Sequence, residues 1–382
     1  MILPILSIAL VVGCHTGPTY QHDIAPFVQA SCLSCHSDGG ASGIPLTTWE
    51  EVREVAPAAL AAMQSGRMPA GNIDRTGECG TFAGPAPVTA EDIERFARWV
   101  DEGTVQGTPE AASPAPPSPA FSADFRFEFG PFDGDIGEHR CMLVEGDADP
   151  GYLRALRVEV SDPGAVHHVM LFTLPSPSDV EGARALDAED DAPGWACEGV
   201  TGLPGAMLAA VWTPGSPVVA FPEGTGLALP GAAMVVQLHL GSATARAGAE
   251  AHIDLDVAAA VDRPLRFLPI AATGFLLPPG EAAVTWTETH PLAASDFDVV
   301  GVFPHMHAQG RELLLRSPDA CLVHTPRWDY TWQELAFYTE PVSLSSGTPL
   351  ELSCTFSTLA ATAPTVWGES ATDEMCMVFL LG

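Results

Sequence analysis

The rhythm of apolar and polar positions divides the chain into unlike stretches. Residues 1–13 (MILPILSIALVVG) are almost wholly apolar, yet too few to span a bilayer. A helical stretch is predicted over Trp49 to Gln64. A second follows Thr89-Ala90-Glu91-Asp92, a capping-box pattern, where Ile93, Phe96, Ala97 and Val100 recur at i, i+3, i+4 and i+7 on one helix face. Residues 108–120 (TPEAASPAPPSPA) lose all periodicity and predict a semi-extended Pro-rich linker. From Phe121 onward, short β-prone runs such as Leu156 to Val160, Met234 to His239 and Val299 to Phe303 alternate with Gly/Pro turns, the pattern of β-sandwiches. About 260 residues is more than one sandwich needs, so two β domains are expected, dividing near Val261 to Pro264.

Composition supports this division. A chain of 382 residues predicts two or three domains. Hydrophobic residues make up 47% against 17% charged, with 36 Gly and 35 Pro, which excludes wholesale disorder, long coiled coils and helical bundles. The 16 basic residues are all Arg, and 48 acidic residues bring the formal charge to -32, a balance that repels nucleic acid and anionic lipid. No apolar run of ~18 residues follows the first stretch, so no internal transmembrane helix is expected. Paired carboxylates placed for acid/base work, a Gly-rich phosphate loop and a Ser nucleophile elbow are all missing from the sequence, which leaves hydrolase and nucleotide-binding functions without support.

The sharpest local motif is Cys32-Leu33-Ser34-Cys35-His36, a C-x-x-C-H site in which two thiols add across haem vinyl groups and the His supplies an axial nitrogen. A thioredoxin-like or zinc-knuckle site would need a βαβ context or a second ligand pair, and neither is evident. The context resembles a class I cytochrome c: His22-Asp23-Ile24-Ala25-Pro26 leads into the motif, and Met68 falls 32 residues after His36, placed to be the sixth haem ligand. Met63 lies inside the first helical stretch and is expected to pack there. Val11-Val12-Gly13-Cys14 resembles a bacterial lipobox, which implies an exported protein held at the cell envelope by acylated Cys14, anchored but not spanning. No Arg or Lys precedes the apolar run. Export permits disulfides.

Four clusters of potential metal ligands stand in the β-rich part: His167-His168; His239 within Val235 to Gly241; His305-Met306-His307; and Asp373-Glu374-Met375-Cys376. On a strand, positions i and i+2 share a face, so His305 and His307 can grip one ion without strain. His167 and His168 are adjacent and would point apart, so their joint use requires a strand end or distorted backbone. His139, His252, His290 and His324 have no spacing partner and read as structural or solvent-facing.

In order, the HH, HLG, H-x-H and D-E-M-C elements resemble the copper type II, ascorbate-dependent monooxygenases, the family of peptidylglycine and dopamine hydroxylating enzymes. The resemblance covers residues 121–382. It implies one copper on His167, His168 and His239, and a second on His305, His307 and Met375, where oxygen binds and a substrate C–H bond is hydroxylated. Three imidazoles suit a copper that only cycles between its two states, whereas a soft thioether favours Cu(I). Met377 shares the strand face of Met375, and the resemblance alone chooses between them. A thioether is a poor ligand for zinc, the competing metal. The resemblance also pairs Cys141 with Cys197 and Cys354 with Cys376, leaving Cys79 and Cys321 either to bridge the haem module to the second copper domain or to stay free.

The expected architecture is therefore multidomain: a signal over 1–14, a small all-α cytochrome c domain over 20–107, the linker over 108–120, and two all-β, jelly-roll-like copper domains over 121–262 and 263–382. The expected cofactors are two copper ions and one covalent c-type haem. The expected partners are O2, a small-molecule substrate, and ascorbate or a redox donor protein. In amidating relatives an Arg two residues before the H-x-H and a Tyr four after the Met hold a substrate carboxylate. Phe303 and Phe379 stand there here, and an apolar pair cannot compensate a buried carboxylate, so a neutral or hydrophobic small molecule is expected. The alternative is an electron-transfer or copper-handling surface lipoprotein without hydroxylase activity.

Overall fold

The computed structural model describes residues 17–38, 42–71, 73–108, 121–146, 151–162, 164–197, 201–216, 218–231, 233–292, 295–330, 332–368 and 373–382. The lipobox and Cys14 lie outside the described residues, as does residue 109–120 of the linker. No helix among the described residues is long and apolar enough to cross a membrane.

Near the N-terminus, a short π-helical turn (Tyr20–Ile24) runs into α1 (Ala25–Ser31), followed by α2 (Trp49–Gln64) and α3 (Ala90–Asp101). Both longer helices begin with capping boxes: Thr48 accepts from the Glu51 amide and Thr89 from the Asp92 amide, each carboxylate reaching back to its N-cap. Their apolar faces meet around Ile24, Phe27, Val52, Ala56, Met63, Phe96 and Trp99. Trp99, three residues beyond Phe96, is fully buried with Nε1 donating to the Val105 carbonyl at 2.9 Å, so the face of α3 is wider than its aliphatic positions alone indicate.

This segment does not form the separate all-α cytochrome c domain expected from the sequence. The structure as a whole is mostly β, 39% strand against 17% helix, built from several small sheets. The physical reason is that the stretch between α2 and α3 divides its side chains between two cores: Met68 and Val88 pack on the helical cluster, whereas others do not. Instead of closing a helical core, Ile73 and Phe82 enter the apolar core of the C-terminal β half. Phe82 forms a β-bridge with Tyr338 and stacks on its ring at 4.7 Å, and Cys79 is disulfide-bonded to Cys321 with Cα atoms 4.7 Å apart. Sequence pattern anticipated α2 and α3, but it offered no prediction for α1 and carried no signal for a connecting stretch that packs elsewhere.

The first β half contains a five-stranded sheet, β5-β2-β9-β4-β6, from β2 (His139–Glu145), β4 (Val166–Thr173), β5 (Trp195–Ala196), β6 (Met207–Trp212) and β9 (Ala233–Leu240). Facing it is a six-stranded sheet around β3 (Gly151–Val160), β8 (Thr225–Leu229) and β10 (Ala251–Ala258), with β1 (Phe125–Phe129), β7 (Val219–Ala220) and β11 (Arg263–Leu265). Leu153, Leu156, Ile253 and Leu255 of the larger sheet meet Val169, Leu171, Val236 and Leu238 of the smaller in one core.

After β11 the chain moves to a four-stranded sheet, β12-β21-β15-β18, from β12 (Phe267–Ala271), β15 (Phe297–Met306), β18 (Ala336–Leu344) and β21 (Cys376–Leu381). Beneath it lies β14-β19-β16-β17, from β14 (Val284–Pro291), β16 (Gly310–Arg316), β17 (Cys321–Thr325) and β19 (Pro349–Phe356). A two-stranded ribbon joins β13 (Leu276–Leu277) to β20 (Thr365–Val366). The pairs Cys141–Cys197 and Cys354–Cys376 are disulfides, with Cα atoms 5.8 and 5.9 Å apart. The second clamps β21 to β19, just beyond Met375.

In the outer sheet of the first half, Asp254 is buried and receives both Arg126 (2.6 Å) and Arg157 (2.6 Å). The Arg126 hydrogen bonds, with help from Arg157, hold its carboxyl at about 2, against the pull of desolvation. A carboxyl whose pKa is depressed on folding stabilises the fold above its unfolded value and loses that contribution as pH falls through its folded one. Thermal midpoints of wild type and Asp254→Asn measured from pH 6 to pH 2 should therefore converge as pH falls through the range between roughly 4 and 2, wild type losing its advantage there. A constant gap across that range would remove Asp254 as its source.

Candidate metal centre

The first imidazole cluster is built by the central strands of the five-stranded sheet. On β9, His239 lies opposite His139 of β2 and His168 of β4. The ladder of β4 is irregular between Val166 and His168, and this bulge lets the adjacent His167 and His168 approach the same neighbour. His167 and His168 rings lie 4.9 and 4.7 Å from His239, at 85° and 72°. The Nδ1 atoms of His168 and His239 are 3.3 Å apart, about the separation of two nitrogens each ~2.0 Å from one ion at a tetrahedral angle. His167 Nδ1 is buried with no hydrogen-bond partner. Burial pushes all three imidazoles below their ordinary pKa, His239 to about 3, so they stand neutral with lone pairs available, the form a metal requires.

His139 is the residue sequence reasoning missed. It stacks on His239 at 4.1 Å and 19°, and its Nε2 meets Tyr330 Oη at 3.4 Å. No spacing rule could have found it, because strand register across β2 and β9, a hundred residues apart, makes the pair.

The second cluster sits at the end of β15. His305 and His307 rings are 5.4 Å apart and nearly perpendicular, and both side chains are buried. His305 Nδ1 meets Gln333 Oε1 at 2.6 Å, and His307 Nδ1 meets the Asp373 carbonyl at 3.0 Å. Each acceptor requires a protonated Nδ1 and so leaves Nε2 as the lone-pair nitrogen, the support typical of a metal-bound imidazole. His307 Nε2 is buried and without a hydrogen-bond partner. Burial again lowers both pKa values, His305 to about 3.

Antiparallel register pairs His305 with Met377 and Met306 with Cys376; continued one step, it sets Met375 beside His307. Met375 is buried but is not part of the apolar core of this half, which takes Met306 instead. Glu374, fully buried, accepts from the His307 amide at 3.0 Å, the Gln309 amide at 2.5 Å and the Met375 amide at 3.3 Å. Desolvation raises its carboxyl to about 7, while these amides pull the other way. One side chain thus ties together the two ligand-bearing segments. Gln333 and Glu374 had no role assigned from sequence: Gln333 lies in an irregular run 28 residues past His305, and Glu374 carries no metal-ligand spacing.

Ring type, protonation and proximity fit copper ligation, although among the described residues no three His, Cys, Asp or Glu side chains close fully on one point. Comparison with known families gives one match, in this half. Residues 277–381 match the copper type II ascorbate-dependent monooxygenase, C-terminal domain. No curated protein matches the chain. The matched residues include His305, His307, Glu374 and Met375, and also Phe303 opposite Phe379 with rings 5.8 Å apart. That pair packs with Met170 and Val211 of the first half, so the position is an apolar seam between the halves.

At the N-terminal segment, Cys32 and Cys35 are not disulfide-bonded. Burial pushes the Cys32 thiol up to about 12. His36 Nδ1 meets the Ile44 carbonyl at 2.8 Å, again leaving Nε2 as the free lone pair. Cys32, Cys35, His36 and Met68 all line one cavity of about 1000 Å³ between this segment and the β halves, and Met63, which packs in the helical core, lines it as well. The cavity is also lined by Pro214-Gly215-Ser216, with Gly215 close against Cys35 Sγ, and by Arg327, Trp332 and Glu334.

Gln333→Leu keeps the volume near His305 but removes its acceptor. Losing the acceptor that orients a metal-bound imidazole costs roughly 10–100-fold in metal affinity. Competitive copper titration should show that loss at one site and none at the other; equal affinities in wild type and variant would make Gln333 a packing residue only.

Proposed function

We propose that this protein is a copper-dependent monooxygenase that hydroxylates a C–H bond of a small, neutral or hydrophobic molecule. The observation that carries the reading is the pair His305 and His307, neutral, buried, and each oriented by an acceptor at Nδ1, within a segment that matches a monooxygenase domain. His305, His307 and Met375 would hold one copper and His167, His168 and His239 the other; when bound, these ions supply oxygen activation and storage of an electron. The overall reaction takes O2, two electrons, two protons and R–H to R–OH and water.

The chain's own contribution is orientation and exclusion. Gln333 and the Asp373 carbonyl fix the faces of the imidazoles, and Glu374 holds the backbone carrying His307 and Met375. Phe303 and Phe379 offer a carboxylate no counter-charge, so binding one there would leave it desolvated and unpaired. Accordingly, a glycine-extended peptide supplied with copper and ascorbate should show no amidation; efficient turnover would refute this reading of the pocket.

For the electrons, ascorbate is the reductant of the matched family. A haem held by Cys32 and Cys35, with His36 and Met68 as axial ligands, would be a tethered second source. Two features support it: all four residues line one cavity of sufficient size, and among the described cysteines only these two stand outside disulfides. Three disulfides are in keeping with an exported protein.

Metal and haem analysis of purified protein, with X-ray absorption on the cuprous form, tests the proposal. Two coppers, one sulfur scatterer and one covalent haem are expected; nitrogen-only coordination would sink the oxygen site. A second reading, an electron-transfer or copper-handling lipoprotein, is favoured by Tyr330, whose ring stands 5.7 Å from that of His239 and 6.3 Å from that of His307, in the space between the clusters. Oxygen uptake without hydroxylated product would select it.

A further inference from the structure

Three residues close in sequence, Tyr330, Trp332 and Gln333, reach the cavity and both imidazole clusters of the chemistry proposed above. Trp332 lines the cavity that contains Cys32, Cys35, His36 and Met68. Its indole lies against the loop just after Met68, where a Cβ on Gly71 would come 3.9 Å from Nε1. Two residues earlier, Tyr330 does not line this cavity; its ring lies near His239 and His307 and its hydroxyl 3.4 Å from His139 Nε2, and His139 in turn stacks on His239. Gln333 donates to the Tyr330 carbonyl at 3.0 Å while holding His305 Nδ1.

The turn is also held at a set distance from both sides. The Trp332 amide donates to the Asp329 carbonyl at 3.1 Å. Glu334 pairs with Arg75 of the N-terminal segment at 3.1 Å, both side chains largely buried, and Arg75 also donates to the Ala83 carbonyl at 2.7 Å. The Cys79–Cys321 disulfide fixes the same segment to β17. A flexible tether would give the cavity no constant relation to the imidazoles; the Arg75–Glu334 pair and the Cys79–Cys321 disulfide give it one.

We propose that Trp332 and Tyr330 form the electron path from a haem in this cavity to the His167/His168/His239 copper, with His139 as the last contact before His239. This rests on the haem and copper reading above. Electrons cross packed, polarisable rings more readily than aliphatic side chains or open solvent, and here an indole on the cavity side is followed by a phenol and a stacked imidazole pair on the metal side. Each passage is one electron: ferrous haem becomes ferric and cupric copper becomes cuprous. Tyr330 and Trp332 are neither oxidised nor deprotonated in net terms, and two passages, replenished by an external one-electron donor, match the two electrons hydroxylation consumes.

The test uses full-length, copper-loaded, oxidised protein under anaerobic conditions. Flash photoreduction with less than one equivalent of electrons populates ferrous haem, whose visible band is followed in time while the cupric EPR signal is measured before and after. In wild type the ferrous band should decay as cupric signal is lost. Trp332→Leu and Tyr330→Leu should each slow that decay at least tenfold with haem and copper content unchanged, and Trp332→Phe and Tyr330→Phe, which keep a ring, should stay within a few-fold of wild type. Wild-type decay in both leucine variants would overturn the path, as would a wild-type haem that stays ferrous beside cupric copper. If Trp332→Leu fails to load haem, the Tyr330→Leu rate decides alone. A purified protein without haem on Cys32 and Cys35, seen by intact mass, overturns the haem reading and the path with it; this outcome is distinct from haem that is present but does not use these rings.

Discussion

Met375→Ala should remove one of two copper ions and abolish hydroxylation, while Met377→Ala should do neither. The two methionines differ in what holds them. Met377 sits inside the β21 ladder, opposite His305 on one side and Ala271 on the other, and is only half-buried. Met375 lies one step outside that ladder, beside His307; it is buried, and its amide is fixed by Glu374. A buried thioether left out of the neighbouring apolar core is the side chain free to turn toward His305 and His307. Soft sulfur favours the cuprous state, so its loss should lower affinity at that site by about a hundredfold or more and silence the sulfur scatterer in X-ray absorption. Copper stoichiometry should fall from two to one with the cupric EPR signal of the nitrogen-only site unchanged. If Met377→Ala produces these losses and Met375→Ala does not, the assignment is reversed.

The second large effect is expected at Glu374, which binds no metal in this account. Truncation to Ala would strand the amides of His307, Gln309 and Met375 in a fully buried position. An unsatisfied buried amide costs roughly 1–3 kcal/mol, so a loss of about 3–5 kcal/mol in unfolding free energy is expected for the metal-free protein. Glu374→Gln should lie between: its one remaining carbonyl oxygen can still serve His307 and Met375, while its NH2 would face the Gln309 amide, donor against donor. Urea unfolding of the three proteins, metal-free and copper-loaded, separates the contributions. Because the same carboxylate aligns both ligand-bearing segments, the alanine variant should also bind copper about 10–100-fold more weakly at the His305/His307 site alone. Equal weakening at both sites would indicate general loosening instead.

The candidate ligands that the structure brings together were legible in the linear chain because metal chemistry restricts residue type and because strand geometry puts i and i+2 on one face, as with His305 and His307. The same geometry correctly demanded a distorted strand for His167 and His168, and the irregular register of β4 supplies it. Capping boxes announced α2 and α3 for a similar reason: the groups that start a helix are neighbours in sequence. Disulfide partners came from family likeness for two pairs, while the third, Cys79–Cys321, spans 242 residues and could be left only as an open possibility.

What sequence alone determined here is local: which residues have ligand chemistry, which runs are helical or extended, and a charge balance hostile to nucleic acid. Tertiary structure decided everything set by contacts across long loops. It drew Ile73 and Phe82 into the C-terminal core, stacked His139 on His239, brought Gln333 to His305, and placed Trp332 on a thiol-lined cavity and Tyr330 beside both imidazole clusters. The physical reason is that periodicity and motif spacing encode interactions within a few residues of one another. Sheet register and the meeting of separate cores depend instead on burying apolar surface contributed by segments far apart, which no local pattern records.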